Sequence, residues 1–134
     1  MDKKFELFGD VETKFGVDVQ RVRALRDFCD VKKGDVGGFV EKESNLSHDD
    51  DAWVYDDAMV FGNAWVCGDA WVCGDAWVYG NAKVSGDVRV YDNAEVYGNA
   101  RVCGDAWVSG NAKVYGNAWV SGNARVYGDT KINK

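Results

Sequence analysis

The sequence is poor in the side chains that zinc sites and acid–base catalysts use. It has one histidine, His48, and four cysteines, Cys29, Cys67, Cys73 and Cys103, in 134 residues. The cysteines follow no CxxC or Cys/His spacing, so the sequence predicts neither a zinc site nor a disulfide framework. We therefore expect free thiols, no metal and no cofactor.

Long apolar runs are also lacking. The opening residues MDKKFELFGD contain no apolar stretch of the length found in signal peptides. No membrane segment is present elsewhere in the sequence. The sequence therefore predicts a soluble protein of the cytoplasm with no membrane partner.

Positive charge is scarce in one part of the chain. The formal net charge is -6, and residues 47–134 carry seven Lys and Arg against twelve Asp and Glu, whereas residues 1–46 are nearly balanced. A negative surface repels the phosphate backbone, so nucleic acid is disfavoured as a partner of this region. A basic protein partner is one alternative, and charge that serves solubility is another.

What the sequence does contain is a six-residue word, Ala-x-Val-x-Gly-Asn/Asp, that repeats fourteen times without an insertion. Self-similarity at a fixed period predicts a solenoid, in which no single repeat buries its own apolar face. The third position of the word is aliphatic in every copy: Val54, Val60, Val66, Val72, Val78, Val84, Val90, Val96, Val102, Val108, Val114, Val120, Val126 and Ile132.

The word itself predicts a short strand and a corner. Its first four residues alternate with period two, which places Ala and Val on one side and both x positions on the other. Gly-Asn or Gly-Asp then turns the chain, because these residues tolerate a positive φ. The x between Ala and Val is Trp, Met, Lys, Arg or Glu, and we expect a position with that range, Trp53 included, to face solvent.

A strand of four residues and a corner of two resemble the hexapeptide repeat of the left-handed parallel β-helix superfamily, over residues 52–133. The resemblance implies an all-β fold, a left-handed parallel β-helix with three hexads per triangular coil and four to five coils. The Gly lies two places after the Val, and this GNAxVx wording is most similar to β-solenoid proteins of bacteria, phages and prophages. The segment RVRALRDFCDVKKGDVGGFVEKESNLSH also resembles the lead-in of such proteins.

If each coil has eighteen residues, residues eighteen apart form columns on three outer faces. The first face carries Trp53, Trp71, Arg89, Trp107 and Arg125 beside Tyr55, Cys73, Tyr91, Ser109 and Tyr127. The second face carries Met59, Trp77, Glu95, Lys113 and Lys131 beside Phe61, Tyr79, Tyr97 and Tyr115. The third face carries Trp65, Lys83, Arg101 and Trp119 beside Cys67, Ser85, Cys103 and Ser121.

Outward tryptophans predict interaction surfaces, because contiguous exposed apolar area usually marks an interface. We expect a protein partner to bind the first face through its Trp, Arg and Tyr side chains. The small residues of the third face favour self-association there, through Trp65, Cys67, Ser85, Cys103, Trp119 and Ser121, and so a homo-oligomer. Pure stacking along the rod is the alternative reading of the aromatic columns.

The predicted function is therefore that of a noncatalytic binding or scaffold protein. The resemblance to phage-borne solenoids implies an inhibitor that docks onto a host protein. A purely structural oligomer is one alternative. An unusual acyltransferase-like enzyme is another, in which His48 would pair with Asp49 or Asp50, although the fourteen uninterrupted hexads leave no loop for an acyl carrier.

The first fifty residues predict a β-rich cap. Residues 3–8 and 11–15 suggest a hairpin about Gly9-Asp10, which would cover the first coil of a solenoid spanning residues 51–134. The only basic cluster is a candidate anion site: Arg21, Arg23, Arg26, Lys32 and Lys33. Two corner columns complete the pattern, a row of asparagines that can bond along the rod and a row of aspartates that could hold cations.

Overall fold

A computed structural model describes residues 3–133 and shows an all-β chain. Three longer strands, β1 Phe5–Lys14, β2 Val17–Ala24 and β3 Val36–Val40, precede a 3-10 turn at Glu43–Asn45. Fourteen short strands follow: β4 Trp53–Val54, β5 Met59–Val60, β6 Trp65–Val66, β7 Trp71–Val72, β8 Trp77–Val78, β9 Lys83–Val84, β10 Arg89–Val90, β11 Glu95–Val96, β12 Arg101–Val102, β13 Trp107–Val108, β14 Lys113–Tyr115, β15 Trp119–Val120, β16 Arg125–Val126 and β17 Lys131–Asn133.

The short strands form a β-solenoid of about five turns, as the hexad count predicts. Every third strand pairs in parallel, which gives the orders β4-β7-β10-β13-β16, β5-β8-β11-β14-β17 and β6-β9-β12-β15. The register joins residues eighteen apart, for example Trp53 with Trp71 and Trp71 with Arg89. The eighteen-residue coil and the three columns of outward residues are therefore confirmed, while the left-handed sense stays a prediction.

The core of the solenoid is made of the alanines and valines of the word. Val72, Val90 and Val108, on successive coils of one sheet, have no exposed surface. The corner glycines have positive φ, such as +70° at Gly80, and a Cβ there would lie 3.0 Å from the amide nitrogen of Gly98. Glycine suits these corners for two reasons, the positive φ of the backbone and the close approach of the next coil, and aspartate takes the same position at Asp56 and Asp92 with φ values of +56° and +60°.

The asparagine corner forms a hydrogen-bonded ladder along the rod, which confirms the predicted stacking. The side-chain amide of Asn63 donates to Asn81 at 3.3 Å, Asn81 to Asn99 at 3.2 Å, and Asn99 to Asn117 at 3.2 Å. Each side-chain amide donates a hydrogen bond to the amide oxygen of the next coil, so the row stabilises the contact between coils with uncharged groups.

The N-terminal cap is an antiparallel β-hairpin, but its turn is not at Gly9-Asp10. β1 runs through these two residues with a bulge between Phe8 and Glu12, where its register with β2 shifts. The chain reverses at Phe15–Gly16, whose φ values are +53° and +78°. The predicted hairpin is present, and only the predicted position of its turn was wrong: Gly9 has positive φ inside a bulged strand, and a bulge and a turn share this sequence signal.

The cap continues directly into the second of the three sheets. β2 pairs antiparallel with β3, and β3 pairs in parallel with β5. An isolated bridge also places Leu46 beside Val66 on the third sheet. Residues 36–48 therefore already stack on the solenoid, within the segment 1–50 that the sequence assigns to the cap. Their offset is twenty residues because Leu46 and Val54 lie eight residues apart, whereas successive valines of the hexads lie six apart, so the corner between them holds two extra residues.

The expectation that Trp53 faces solvent is wrong. Its side chain is 2% exposed and makes edge contacts with the rings of Phe28, 5.2 Å between centroids, and Phe5, 6.3 Å. Met59 of the same coil is buried in the same way, against Val19 and Phe39. The cap covers these two outward positions of the first coil, which therefore belong to the protein interior, whereas Trp65 of the same coil is exposed.

Lys4 is a fully buried charge beneath this first coil. Its ammonium group donates to the carbonyl oxygens of Ala52 at 2.5 Å and Asp50 at 3.4 Å, and it lies 4.9 Å from the centre of the Phe28 ring. Burial lowers the pKa of Lys4 from 10.5 to about 8, and the nearby Asp51 carboxylate opposes this change only in part.

We expect the free energy of unfolding to rise by about 1 kcal/mol between about pH 7 and pH 9 because of Lys4. Below pH 8 the lysine is protonated in both states, so the cost of burying its charge is present in full. Above pH 8 the folded chain releases the proton while the unfolded chain, with its pKa of 10.5, keeps it, and that cost disappears.

Urea unfolding followed by circular dichroism at each pH measures this dependence, with Lys4→Met as the control that lacks the titrating group. The series of pH values stops near pH 9 because a second group changes the stability above it. Burial raises the pKa of Cys73 to about 11 in the folded chain, from an ordinary value of 9.0. Ionisation of that thiol in the unfolded chain lowers stability at higher pH. A wild-type profile as flat as that of Lys4→Met would contradict the prediction.

Candidate interaction site

On the first face, arginine side chains of the same column cover part of the tryptophan surface. The guanidinium of Arg89 lies over the ring of Trp71 at 4.0 Å, and that of Arg125 over Trp107 at 4.4 Å. Both arginines also donate to corner carbonyls, such as that of Asp69 from Arg89 at 3.4 Å. These cation–π stacks hold neighbouring coils together and cover one side of each indole.

The residues beside that column alternate in size from coil to coil. The large members are Tyr55, Tyr91 and Tyr127, and the small ones, Cys73 and Ser109, lie between them. The ring of Tyr55 contacts that of Trp71, with 5.3 Å between their centroids, and the ring of Tyr91 contacts that of Trp107, with 6.3 Å between theirs. Each tryptophan therefore lies between a tyrosine of the preceding coil and an arginine of the following coil.

Of the predicted partner strip on the first face, only its C-terminal half is open. Trp107 is 41% exposed and Tyr127 66%, and Arg125 is exposed, whereas Trp71, Arg89 and Tyr91 are half-buried. The hydroxyl of Tyr55 is buried with no hydrogen-bond partner among the described residues, and burial raises its pKa to about 12. Trp53 and Tyr55 are thus unsuited to contact a partner.

The second face is a ladder of stacked rings. Phe61, Tyr79, Tyr97 and Tyr115 lie 4.9 to 5.1 Å apart and within 5° of parallel. Glu95 joins this face by accepting hydrogen bonds from the hydroxyl of Tyr79 at 3.0 Å and from Lys113 at 2.5 Å. Phe15 of the cap covers Trp77 at 4.3 Å. The ring faces contact one another, so this column serves cohesion.

The third face is the most open of the three. Its four outward side chains are exposed, with Trp65 at 43% and Trp119 at 67%. Among residues 3–133, no aromatic ring stacks on either indole and no ion pair involves Lys83 or Arg101. The indole nitrogen of Trp119 donates to Cys103 Sγ at 3.2 Å, and Arg101 lies 5.9 Å from its ring. Two tryptophans thus flank two positive charges on an otherwise acidic rod.

The predicted self-association residues all lie on this face. Cys67, Ser85 and Cys103 are half-buried and Ser121 is exposed, and they lie beside the column of larger residues. Their small side chains leave room for another backbone to approach. The structure therefore brings the set together, and self-association through it stays a prediction.

A groove opens at the N-terminal end of the third face, between the lead-in and the first coils. Its volume is about 420 Å³, and it is lined by Glu43, Ser44, Leu46, Ser47, His48, Asp49 and Trp65. The hexad pattern does not predict this groove, since it forms where the 3-10 turn of the lead-in contacts β6. It combines an indole wall with two carboxylates and two hydroxyl groups.

His48 is held from three sides at the edge of this groove. Its Nδ1 accepts the backbone N–H of Lys4 at 3.1 Å, so Nε2 carries the proton that is donated to Glu43 at 2.7 Å. Phe5 stacks on the imidazole at 4.2 Å. Both ring nitrogens are engaged, neither of them by Asp49 or Asp50, and the histidine joins the cap to the lead-in.

The basic cluster of the cap is mostly used within the fold. Arg21 pairs with Asp57 at 2.8 Å, Arg23 pairs with Glu6, and Arg26 donates to the His48 carbonyl at 3.1 Å. Lys32 and Lys33 are exposed. Of the five residues of the predicted anion site, only these two lysines have side chains without a hydrogen bond or ion pair to another described residue.

The aspartate corner shows repulsion between its members. Partial desolvation, followed by the hydrogen bond and like charge of Asp105, raises the pKa of Asp87. Within residues 3–133, no three or more His, Cys, Asp and Glu side chains come together in a group that could hold a metal ion.

No helix in the described part of the chain has the length and apolar character needed to span a membrane.

Two stretches of the solenoid, residues 52–68 and 94–110, match the family model of the YdcK Beta solenoid repeat. The first stretch covers β4 to β6, and the second covers β11 to β13. No curated protein matches the chain. The similarity therefore concerns the repeat and its fold, and it leaves the function to the surfaces described above.

Proposed function

We propose that this β-solenoid is a noncatalytic protein-binding module whose main contact surface is the third face. The exposure of Trp65 and Trp119 carries the proposal, because no aromatic ring within residues 3–133 packs on either indole. They lie three coils apart, about 14 Å along the rod, which suits an extended segment of a partner. Buried tryptophan and arginine side chains dominate the energy of many protein interfaces.

Charge favours a foreign partner over a second copy on this face. A twofold axis through the middle of the face would place the Lys83 and Arg101 column of one copy against the same column of the other. Like charges brought together at a desolvated interface oppose association. An acidic segment has the complementary charge, and the small residues beside the column let its backbone come close.

The acyltransferase-like alternative receives no support from His48. A general base needs a nitrogen that can accept a proton from the substrate, and Nδ1 of His48 is occupied by the Lys4 amide. Freeing it would break the link between the cap and the lead-in. We therefore assign His48 a structural role.

The proposal predicts that Trp65→Ser with Trp119→Ser removes partner binding and leaves the coil intact. Wild type, this variant and a matched first-face variant, Trp71→Ser with Trp107→Ser, serve as baits in extracts of the native cells. A protein retained by the wild type and the first-face variant, and lost from the third-face variant, is the expected result. Loss from the first-face variant alone, or equal retention by all three, contradicts the assignment of the third face.

Light scattering on the same three proteins separates self-association from foreign binding. A monomeric wild type agrees with a third face that is open to another protein. A wild-type dimer or trimer that dissociates in the third-face variant alone would instead assign this face to a homo-oligomer. The identity of the retained protein tests the further implication of the resemblance to phage-borne solenoids, that the target is a host protein.

A further inference from the structure

The groove at the N-terminal end of the third face has the charge of a cation site. Glu43 is ionised at neutral pH, because hydrogen bonds from Lys3 and His48 lower its pKa. Asp49 is exposed and forms no ion pair among the described residues. Lys3 of the cap lies 3.0 Å from Glu43 at the rim, which shows that an ammonium group is attracted to this position.

The groove also has an aromatic wall without the stacked cation that Trp71 and Trp107 of the first face have. On the first face the residue eighteen positions after Trp71 is Arg89, and its guanidinium lies over the indole at 4.0 Å. The corresponding residue for Trp65 is Lys83, and among the described residues no cation lies over the Trp65 ring. The chain thus uses an arginine–tryptophan stack twice within itself and leaves the indole of Trp65 open toward the groove.

Guanidinium fits this combination better than other cations. It is planar, so it stacks on an indole while its edge N–H groups donate to carboxylates in the same site. Asp49 provides such a carboxylate on the lining of the groove, and Ser47 adds a hydroxyl whose oxygen accepts the Asp49 amide at 3.1 Å. Leu46 supplies an apolar surface for the methylene stem of an arginine.

We propose that the groove binds an arginine side chain of the partner, with the guanidinium on Trp65 and its N–H groups directed to Asp49. The identity of the ligand as part of a partner rests on the proposed function, whereas the chemistry of the groove does not. Together with the positive column of Lys83 and Arg101, the groove selects a segment with an arginine at one end and acidic residues beyond it.

The test uses N-acetyl-arginine-N-methylamide as the probe, and N-acetyl-citrulline-N-methylamide as the uncharged control of equal shape. Nuclear magnetic resonance of the 134-residue chain follows the backbone N–H signals of residues 46–49, which every variant retains, and also the indole N–H of Trp65 where that residue is present. We expect saturable binding of the arginine probe, at least about fivefold tighter than that of the citrulline probe. Trp65→Ser and Asp49→Asn each weaken it by at least about threefold, while Trp119→Ser leaves it unchanged.

Three results would overturn the inference: no saturable shift, equal affinity for both probes, or binding that persists in Trp65→Ser. Asp49 is changed rather than Glu43 because Glu43 holds Lys3 and His48, and its loss would disturb the cap. The experiment involves no partner protein. It can therefore succeed where the capture experiment fails, and the two failures are distinguishable.

Discussion

Val90→Asp is expected to prevent formation of the folded rod at 25 °C. Val90 lies on β10, the central strand of its sheet, and has no exposed surface. A carboxylate there faces only alanine and valine side chains, and burying such a charge without a partner costs more than about 4 kcal/mol. That is a large share of the roughly 5 to 15 kcal/mol by which domains are stable.

The matched control is Lys83→Asp, which places the same residue on the outer side of the neighbouring strand β9. Since Lys83 is exposed and has no described ion pair, we expect a loss of less than about 1 kcal/mol. Far-ultraviolet circular dichroism and thermal unfolding compare the two proteins. A Val90→Asp protein that melts like Lys83→Asp would show that the interior of the coil is not packed as described.

Gly37→Ala is expected to destabilise the protein by at least about 3 kcal/mol and to loosen the cap. A Cβ at Gly37 would lie 2.3 Å from the carbonyl oxygen of Val54 and 2.9 Å from the ring of Trp53. The first of these contacts is with backbone, which cannot rotate away. β3 would have to move off β4, and Trp53 would lose its cover.

Val36→Ala is the control for this change, because Val36 is the adjacent residue of β3 and is 46% exposed. Its expected cost is below about 1 kcal/mol. Limited proteolysis measures how readily the loop between β2 and β3 is cleaved, and urea unfolding measures the free energy of unfolding. Equal resistance of the two variants would mean that the cap does not rest on the first coil at Gly37.

The solenoid could be predicted in detail because its sequence period has no interruption. The resemblance to hexapeptide-repeat β-helices supplies a coil of three hexads, and with that coil length the three columns and the asparagine ladder follow from the count of residues over fourteen hexads. Trp71 and Arg89 are neighbours for that reason alone. No tertiary information is needed, since every contact of this kind repeats at the same separation.

The cap could not be predicted in this way, because its contacts occur once. The burial of Trp53 depends on Phe5 and Phe28, which lie far away in the sequence and follow no repeat. Adjacent glycines at 37 and 38 are a signal of close backbone approach that could have indicated it. The groove beside His48 depends on the 3-10 turn at residues 43–45 and on the wider corner between Leu46 and Val54, neither of which the hexad pattern encodes.

The alternation of large and small residues along the first face sets a rule for changes in chain length. Tyr55, Cys73, Tyr91, Ser109 and Tyr127 give that face a unit of two coils, or 36 residues, although the backbone repeats every 18. Deleting one coil would place two tyrosines or two small residues in succession and separate a tryptophan from its arginine. Rods of this kind are therefore expected to gain or lose coils in pairs when their genes lengthen or shorten.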